Sequence, residues 1–450
     1  MNKFRVLFVF FTLIALLLYT QKEFIKEFLL ANNGFKSISI VQFLHDPVSY
    51  IKEIDSRLSR LERIEKSFTS YHLDMTLKKQ KSDLNFSLAP NSIIENENFK
   101  FKKFVTNKKI AMGIMNKYPG SSFLEVYKNK LYLFSSSGLS FVSSLKTNGD
   151  KFSFKQIDNN ISNLINEKKF ASSVWFSIKD LAIIDDHIYL SYTKELYDDC
   201  WNTSIMRSKL DYSYLNFEDF YIPHDCANFV PEKFDGHQSG GRIVNFDKQN
   251  ILFSIGSYKD YLKPQDLTSS LGKIIKINKK NGESKIFSLG HRNVQGLYVD
   301  HIHNIVISTE HGPMGGDEIN LTNLENYEVN NFGWPISSYG EHYNLKKVKN
   351  APLYKSHSKF GFIEPLIQFT PSLGLSEINY IEPINLYVLS TLASRELVFL
   401  KNINNIKMEI SSRMKINERI RDIRKIDNEN YILYLESSGS LGLLSLKHSN

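Results

Sequence analysis

At 450 residues, with 42% apolar and 23% charged residues, the chain has an ordinary globular composition and is long enough for one to three domains. Its formal charge of +8 is spread along the sequence rather than gathered into a basic stripe interleaved with aromatics, which argues against a nucleic-acid partner. Aromatic residues make up 13%, with 23 Tyr and 32 Phe, a bias toward strands, where flat side chains pack on a pleated surface.

Lys3 and Arg5 precede an uncharged apolar run from Val6 to Thr20, which has the length of a signal-peptide core and a positive flank that stays inside. No small-residue cleavage site follows; Gln21-Lys22-Glu23 comes next. Residues 1–22 are therefore expected to be an uncleaved signal anchor, with a cleaved signal peptide as the alternative, placing the remainder in the periplasm beside the inner membrane. Asp46-Pro47 then offers an N-cap and a first-turn proline. Ile51, Ile54, Leu58, Leu61 and Ile64 recur at helical steps, so 47–66 reads as an amphipathic helix. It suits a stalk, a short coiled coil that would make a homodimer, or a helix packed on its own domain. The stretch 71–109 is weakly patterned, a connection or a small sheet, and the region 23–109 as a whole is read as stalk and linker.

From about residue 110 to 450 a repeat dominates. Six times a polar turn leads into a short β-branched or aromatic run that ends in small residues: from Lys130, His187, Asn250, Asn304, Asn385 and Tyr431. Asp185-Asp186, Asp247-Lys248 and Asp427-Asn428 supply the turn chemistry. A mean spacing of roughly 60 residues leaves room for about four short strands per unit, one propeller blade. The expected fold is all-β, a six-bladed β-propeller preceded by the anchor and the short helical stalk. Cys200 and Cys226 lie in loop-like contexts; in an exported chain they form a disulfide or remain two inert thiols.

Ligands of propellers gather where loops meet at one end of the channel, so polar residues at the ends of the recurring runs carry the chemistry. The densest group runs from Leu289 to Trp334, with Arg292, Asn293, Gln295, Glu310, His311, Asp317 and Glu318 among glycines. Gly312-Pro313 can turn two carbonyl oxygens toward a hard cation such as Ca²⁺, or can simply be a tight turn. His237, in Asp235-GHQSGGR, can act as a base at neutral pH, although a lone loop histidine is more often only solvated. Arg419 and Arg421 share one face of a strand and suit a polycarboxylate or phosphate, or form an exposed charged edge.

Taken in order, GHQSGGRI, PQDLTSSLGKIIKI, LGHRNVQGL, STEHGPMGGDEINL, FGWPISSYGEHY and ERIRDIR resemble the glucose/sorbosone dehydrogenase family of propellers, the soluble-type and aldose sugar dehydrogenases that use pyrroloquinoline quinone (PQQ). The resemblance runs from about Ser173 to Leu446 and is densest between 235 and 343. It implies PQQ and Ca²⁺ as cofactors, a sugar substrate oxidised at C1 to a lactone, His237 as base and Arg292 beside the reactive carbonyl. It further implies cofactor contacts from Asn293, Gln295, His311, Ser372, Arg419 and Arg421, and Ca²⁺ held by the carbonyls of Gly312 and Pro313. The electron acceptor is not legible. Two positions depart from the pattern: Ser257 stands where the family carries a carboxylate that orients the histidine, with Asp260 as a nearby substitute. Ala393 stands where a cofactor-contacting lysine is expected, with Arg395 close by. These departures motivate a second reading, an envelope-anchored propeller that binds a ligand or partner without redox chemistry.

Overall fold

Each of the six recurring runs is the second strand of a four-stranded antiparallel group. The computed structural model describes residues 85–105, 121–145, 151–165, 170, 175–230, 233–325, 327–343 and 348–447, all within the unit Ile64–Asn450. The expected anchor at 1–22 and the helix at 47–66 lie outside the described residues. Among the described residues the fold is all-β and propeller-like.

Second strands Lys130–Ser135, Asn250–Ile255, Leu386–Thr391 and Asn430–Leu435 are buried at every position after the first, and Ile305–Glu310 throughout. A strand covered on both faces has no solvent side, so its sequence reads as a continuous apolar run rather than an alternation. The turn before it is set by short polar side chains. Asp247 Oδ1 accepts from the amides of Gln249 and Asn250, Asp300 Oδ1 from Ile302 and His303, and Asp427 Oδ1 from Glu429 and Asn430. Asp185 and Asp186 instead take left-handed φ of 50° and 58°, which matches strand twist in a two-residue hairpin.

The first strands of the groups are Ser122–Tyr127, Ile178–Ile184, Gly240–Asn245, Val294–Asp300, Leu375–Ile381 and Ile420–Lys425. They adjoin one another in a closed ring. Neighbours in that ring belong mostly to different sheets, so buried backbone amides facing a neighbour lack ladder partners and need other acceptors. Carboxylates supply them: Asp180 accepts from the amide of Ile243 (2.8 Å), Glu377 from Leu297 (3.0 Å) and Asp422 from Leu124 (2.8 Å). Arg242 and Arg424 then bridge these acids across the channel, with Arg242 Nη1 2.9 Å from Asp180 and 3.1 Å from Glu377.

The boundary expected near 110 falls too late. Phe99–Val105 pairs antiparallel with Ser440–Leu446, from Phe99 opposite Leu446 to Phe104 opposite Leu441, and so completes the group begun by the C-terminal strands. Phe86–Glu95 follows beside it and also pairs with Phe152–Asn159. The reason is closure: the last three strands leave an open edge that an N-terminal strand covers, and Phe99, Phe101 and Phe104 fill the core there. The two cysteines are joined, Cys200 to Cys226, beside the short pairing of Ala227–Asn228 with Cys200–Trp201.

Candidate active site

Up-and-down strands fix which loops meet. The end of each second strand and the start of the following group's first strand lie at the same end of the channel. That end therefore receives Ser257, the Glu310–Pro313 turn, Ala393 and Glu436 from second strands. From the approaches to first strands it receives His237, Arg292-Asn293, Ser372 and Arg419.

A continuous run of hydrogen bonds joins three of these loops. Asn293 Oδ1 accepts from the amide of Gly240 (3.0 Å) and from Gln295 Nε2 (3.1 Å). Gln295 Oε1 in turn accepts from Arg421 Nη1 (3.2 Å). The His237 loop, the Arg292 segment and the arginine strand thus face one mouth. Arg292 is 7% exposed; its amide donates to Glu310 (2.8 Å), its Nη1 to the carbonyl of His311 (2.9 Å), and its guanidinium lies 5.5 Å over the Trp334 ring. Its Nε is buried and has no hydrogen-bond partner among the described residues. His311 Nε2 donates to the carbonyl of Leu375 (2.5 Å), leaving Nδ1 toward Asn293 Nδ2 at 3.5 Å. Burial lowers the pKa of His311; Arg421 and Arg292 push the same way against Asp317, so the ring is neutral.

The Gly312-Pro313 turn is held rather than loose. Asp317 Oδ1 accepts from the amide of Gly312 (3.1 Å), while its Oδ2 accepts from Gly374 (2.7 Å). A Cβ at Gly312 would sit 1.9 Å from the Gly316 carbonyl, so no other residue fits. Ser372 Oγ approaches the Pro313 carbonyl at 3.4 Å. Glu318 pairs instead with His357 at 3.3 Å, away from the turn's polar contacts.

Arg419 and Arg421 do not stand free. Glu436 receives both, Nε of Arg419 at 3.0 Å on one oxygen and Nε of Arg421 at 2.6 Å on the other, and Ser121 donates to it as well. Burial raises the Glu436 pKa, but the two guanidiniums outweigh it and hold the carboxyl at about 2. Sequence reasoning passed over Glu436, although it ends the sixth recurring run where Glu310 ends the fourth. It also passed over Lys179, which begins the strand beside Gly241; burial, then Arg421, push its ammonium down to about 7. Nothing local in the sequence marks Lys179.

Asp260 does not take the place of the missing carboxylate. Asp260 caps the turn ahead, accepting from the amides of Leu262 and Lys263, and Ser257 Oγ donates to Gln238 Oε1 (2.9 Å). Arg395 takes a left-handed φ of 57°, and its carbonyl accepts from the amides of Ile416 and Asn417. The carboxylate beside His237 is Asp235, two residues earlier: its Oδ1 lies 2.8 Å from His237 Nδ1. Trp175 Nε1 points at the same nitrogen, also from 2.8 Å.

Residues 183–444 match the family model described as Glucose / Sorbosone dehydrogenase, more than half of the chain. The chain belongs to the glucose/sorbosone dehydrogenase family. Among curated members, an uncharacterised protein of Synechocystis is 28% identical over 236 residues, 46% of this chain and 55% of its own length. The aldose sugar dehydrogenase YliI of Escherichia coli K12 is 27% identical over 277 residues, 56% of this chain and 71% of that protein. The chain thus spans between about half and three quarters of the length of these two relatives. In fold, the apo-form soluble aldose sugar dehydrogenase of Escherichia coli superposes with a TM-score of 0.58 at 19% identity, over 72% of this chain and 95% of that one. The PQQ-bound aldose sugar dehydrogenase of Streptomyces coelicolor does so with 0.55 at 17% identity, over 79% and 100%.

Proposed function

We propose that this protein is a PQQ- and Ca²⁺-dependent aldose dehydrogenase built on a six-bladed propeller, anchored to the inner membrane by residues 1–22 and facing the periplasm. The observation that carries the reading is Arg292: a buried guanidinium whose Nε has no partner among the described residues, one residue before the Asn293 whose hydrogen bonds tie the His237 loop, through Gln295, to Arg421. A buried donor left unmade costs about 1–3 kcal/mol, which a ligand oxygen would recover. The donor set fits a tricarboxylate: Arg292, Arg419 and Arg421 are cationic, Lys179 becomes so on taking up a proton, and His311 is kept neutral. Among the described residues no three His, Cys, Asp or Glu side chains converge to hold a metal. A calcium ion here would draw on the carbonyls of Gly312 and Pro313, the type of ligand that suits it.

Bound PQQ with Ca²⁺ would supply the acceptor for the hydride of the sugar's C1. The protein supplies the rest. His237 Nε2 takes the proton of the C1 hydroxyl; the side chain is 58% exposed, so a sugar can reach it. Arg292, Asn293, Gln295 and His311 form one wall for the cofactor, Arg419 and Arg421 another, with Ser372 beside the Pro313 carbonyl. Reconstitution with PQQ and Ca²⁺, followed by dye reduction with a panel of aldoses, tests the reading. Turnover no higher than that of His237→Ala, with PQQ demonstrably bound, would sink it.

Glu436 favours a second reading, in which the propeller binds a ligand or partner without oxidising it. An internal carboxylate already occupies the arginine pair, and Ala393 removes one cation. No PQQ binding in the presence of Ca²⁺, by absorbance or calorimetry, would decide for it.

A further inference from the structure

His237 Nδ1 has two neighbours that demand opposite tautomers. Asp235 Oδ1 lies 2.8 Å away, and a carboxylate can only accept, so this contact needs a hydrogen on Nδ1. The indole Nε1 of Trp175, also at 2.8 Å, can only donate, so that contact needs Nδ1 bare. One nitrogen cannot do both. The choice decides chemistry: with hydrogen on Nδ1, the lone pair is on Nε2, free to take a proton; with hydrogen on Nε2, the ring cannot take a proton there.

Three observations favour the carboxylate. Asp235 is the N-cap of the short 3₁₀ turn Gly236–Gln238, in extended backbone at φ −144°, and its Oδ1 also accepts the His237 amide at 3.0 Å. Gln238 Nε2 donates to its other oxygen at 3.1 Å, so the carboxylate is fixed at both ends before the imidazole meets it. Burial raises its pKa, but the bonds from His237 and Gln238 outweigh this and hold it at about 2, so it is ionised at any working pH. A charge-assisted bond is roughly twice as strong as a neutral one. Trp175 then serves as a wall, its ring edge-on to the imidazole at 5.7 Å and packed against Phe234.

We propose that Asp235 is the positioning residue of His237: it fixes the Nδ1–H tautomer and the ring's orientation, and balances the imidazolium that forms when Nε2 takes a proton. The function that an acid at position 257 would serve across the hairpin is thereby supplied from within the histidine's own turn. The catalytic part of this inference rests on the dehydrogenase reading; the tautomer does not.

The test uses the full chain labelled with ¹⁵N-histidine, the His237 signals being assigned by their loss in His237→Gln. Asp235→Asn keeps a capping oxygen and removes the charge; Trp175→Phe removes the competing donor. In the unaltered protein and in Trp175→Phe the ¹⁵N shifts should report hydrogen on Nδ1, and in Asp235→Asn they should move to hydrogen on Nε2. With PQQ, Ca²⁺ and aldose, kcat of Asp235→Asn should fall about 100-fold with KM little changed, the size of a general-base contribution. An unchanged tautomer in a folded Asp235→Asn, or a tautomer that changes in Trp175→Phe instead, would overturn the proposal. A tautomer shift in Asp235→Asn, in a protein whose unaltered form oxidises no aldose, would uphold the positioning and refute the dehydrogenase reading.

Discussion

Two groups of charge share the channel, and they differ in what they leave unmet. At mid-depth, Arg242 and Arg424 are enclosed by Asp180, Glu377 and Asp422; Arg242 is 2% exposed and also donates to the carbonyls of Gln295 and Arg421. Both cations and acids are there fully engaged with protein, and each acid also holds a backbone amide of a neighbouring first strand. At the mouth, Arg292 keeps a buried Nε without a partner among the described residues and His237 stands 58% exposed. Satisfied charge closes the ring of strands; the unmet donor at the mouth is the one the proposed cofactor would satisfy. Arg421 and Arg424, three residues apart on one strand, belong to the mouth group and the mid-depth group respectively.

The comparison can be broken most forcefully at Arg242. Arg242→Met leaves three buried acids with Arg424 as their one remaining cation, and loss of about 3–5 kcal/mol of stability is expected, read from denaturant unfolding. Folded, stable Arg242→Met protein would show that the mid-depth network is dispensable. Arg292→Met should instead fold normally, because the change relieves an unpaired buried donor, while its Kd for PQQ rises by about tenfold to a hundredfold, equivalent to roughly 1.5–3 kcal/mol.

A pH series sharpens the picture at Lys179. Its folded pKa of about 7 lies below the ordinary value, and a bound polycarboxylate raises it again, so binding is linked to proton uptake. Below pH 7 the ammonium is already charged and affinity is constant; above it affinity falls with rising pH, by about tenfold per pH unit at most. Absorbance titrations of PQQ from pH 6 to 9 should show this slope, and Lys179→Met should flatten it. The smallest effect is expected at Glu436. Glu436→Gln frees two guanidiniums, so PQQ affinity should rise a few-fold, about 1 kcal/mol or less, with a lower Tm for the ligand-free protein. Weaker PQQ binding in Glu436→Gln would mean that Glu436 holds the arginines in place for the cofactor rather than competing with it.

The six second strands were legible because burial on both faces writes itself into consecutive residues: a continuous apolar run, a polar turn before it and small residues after. His237, Arg292, Gly312 and Arg421 were legible for a related reason, as each sits at the end of such a run or at the start of the strand before it. What the sequence could not show was set between residues far apart along the chain. Phe99–Val105 becomes a propeller strand only because the C-terminal strands leave an edge beside it. Ser121 meets Glu436 across almost the whole chain, and Lys179 is a site residue only through Arg421. Asp235 lay two residues from His237 in plain view, yet its role depends on the angle of a turn and on Trp175 opposite. Local composition thus determined strand, turn and candidate chemistry. Only the closed ring decided which charges face one another, because an ion pair depends on distance in space, which strand periodicity does not encode.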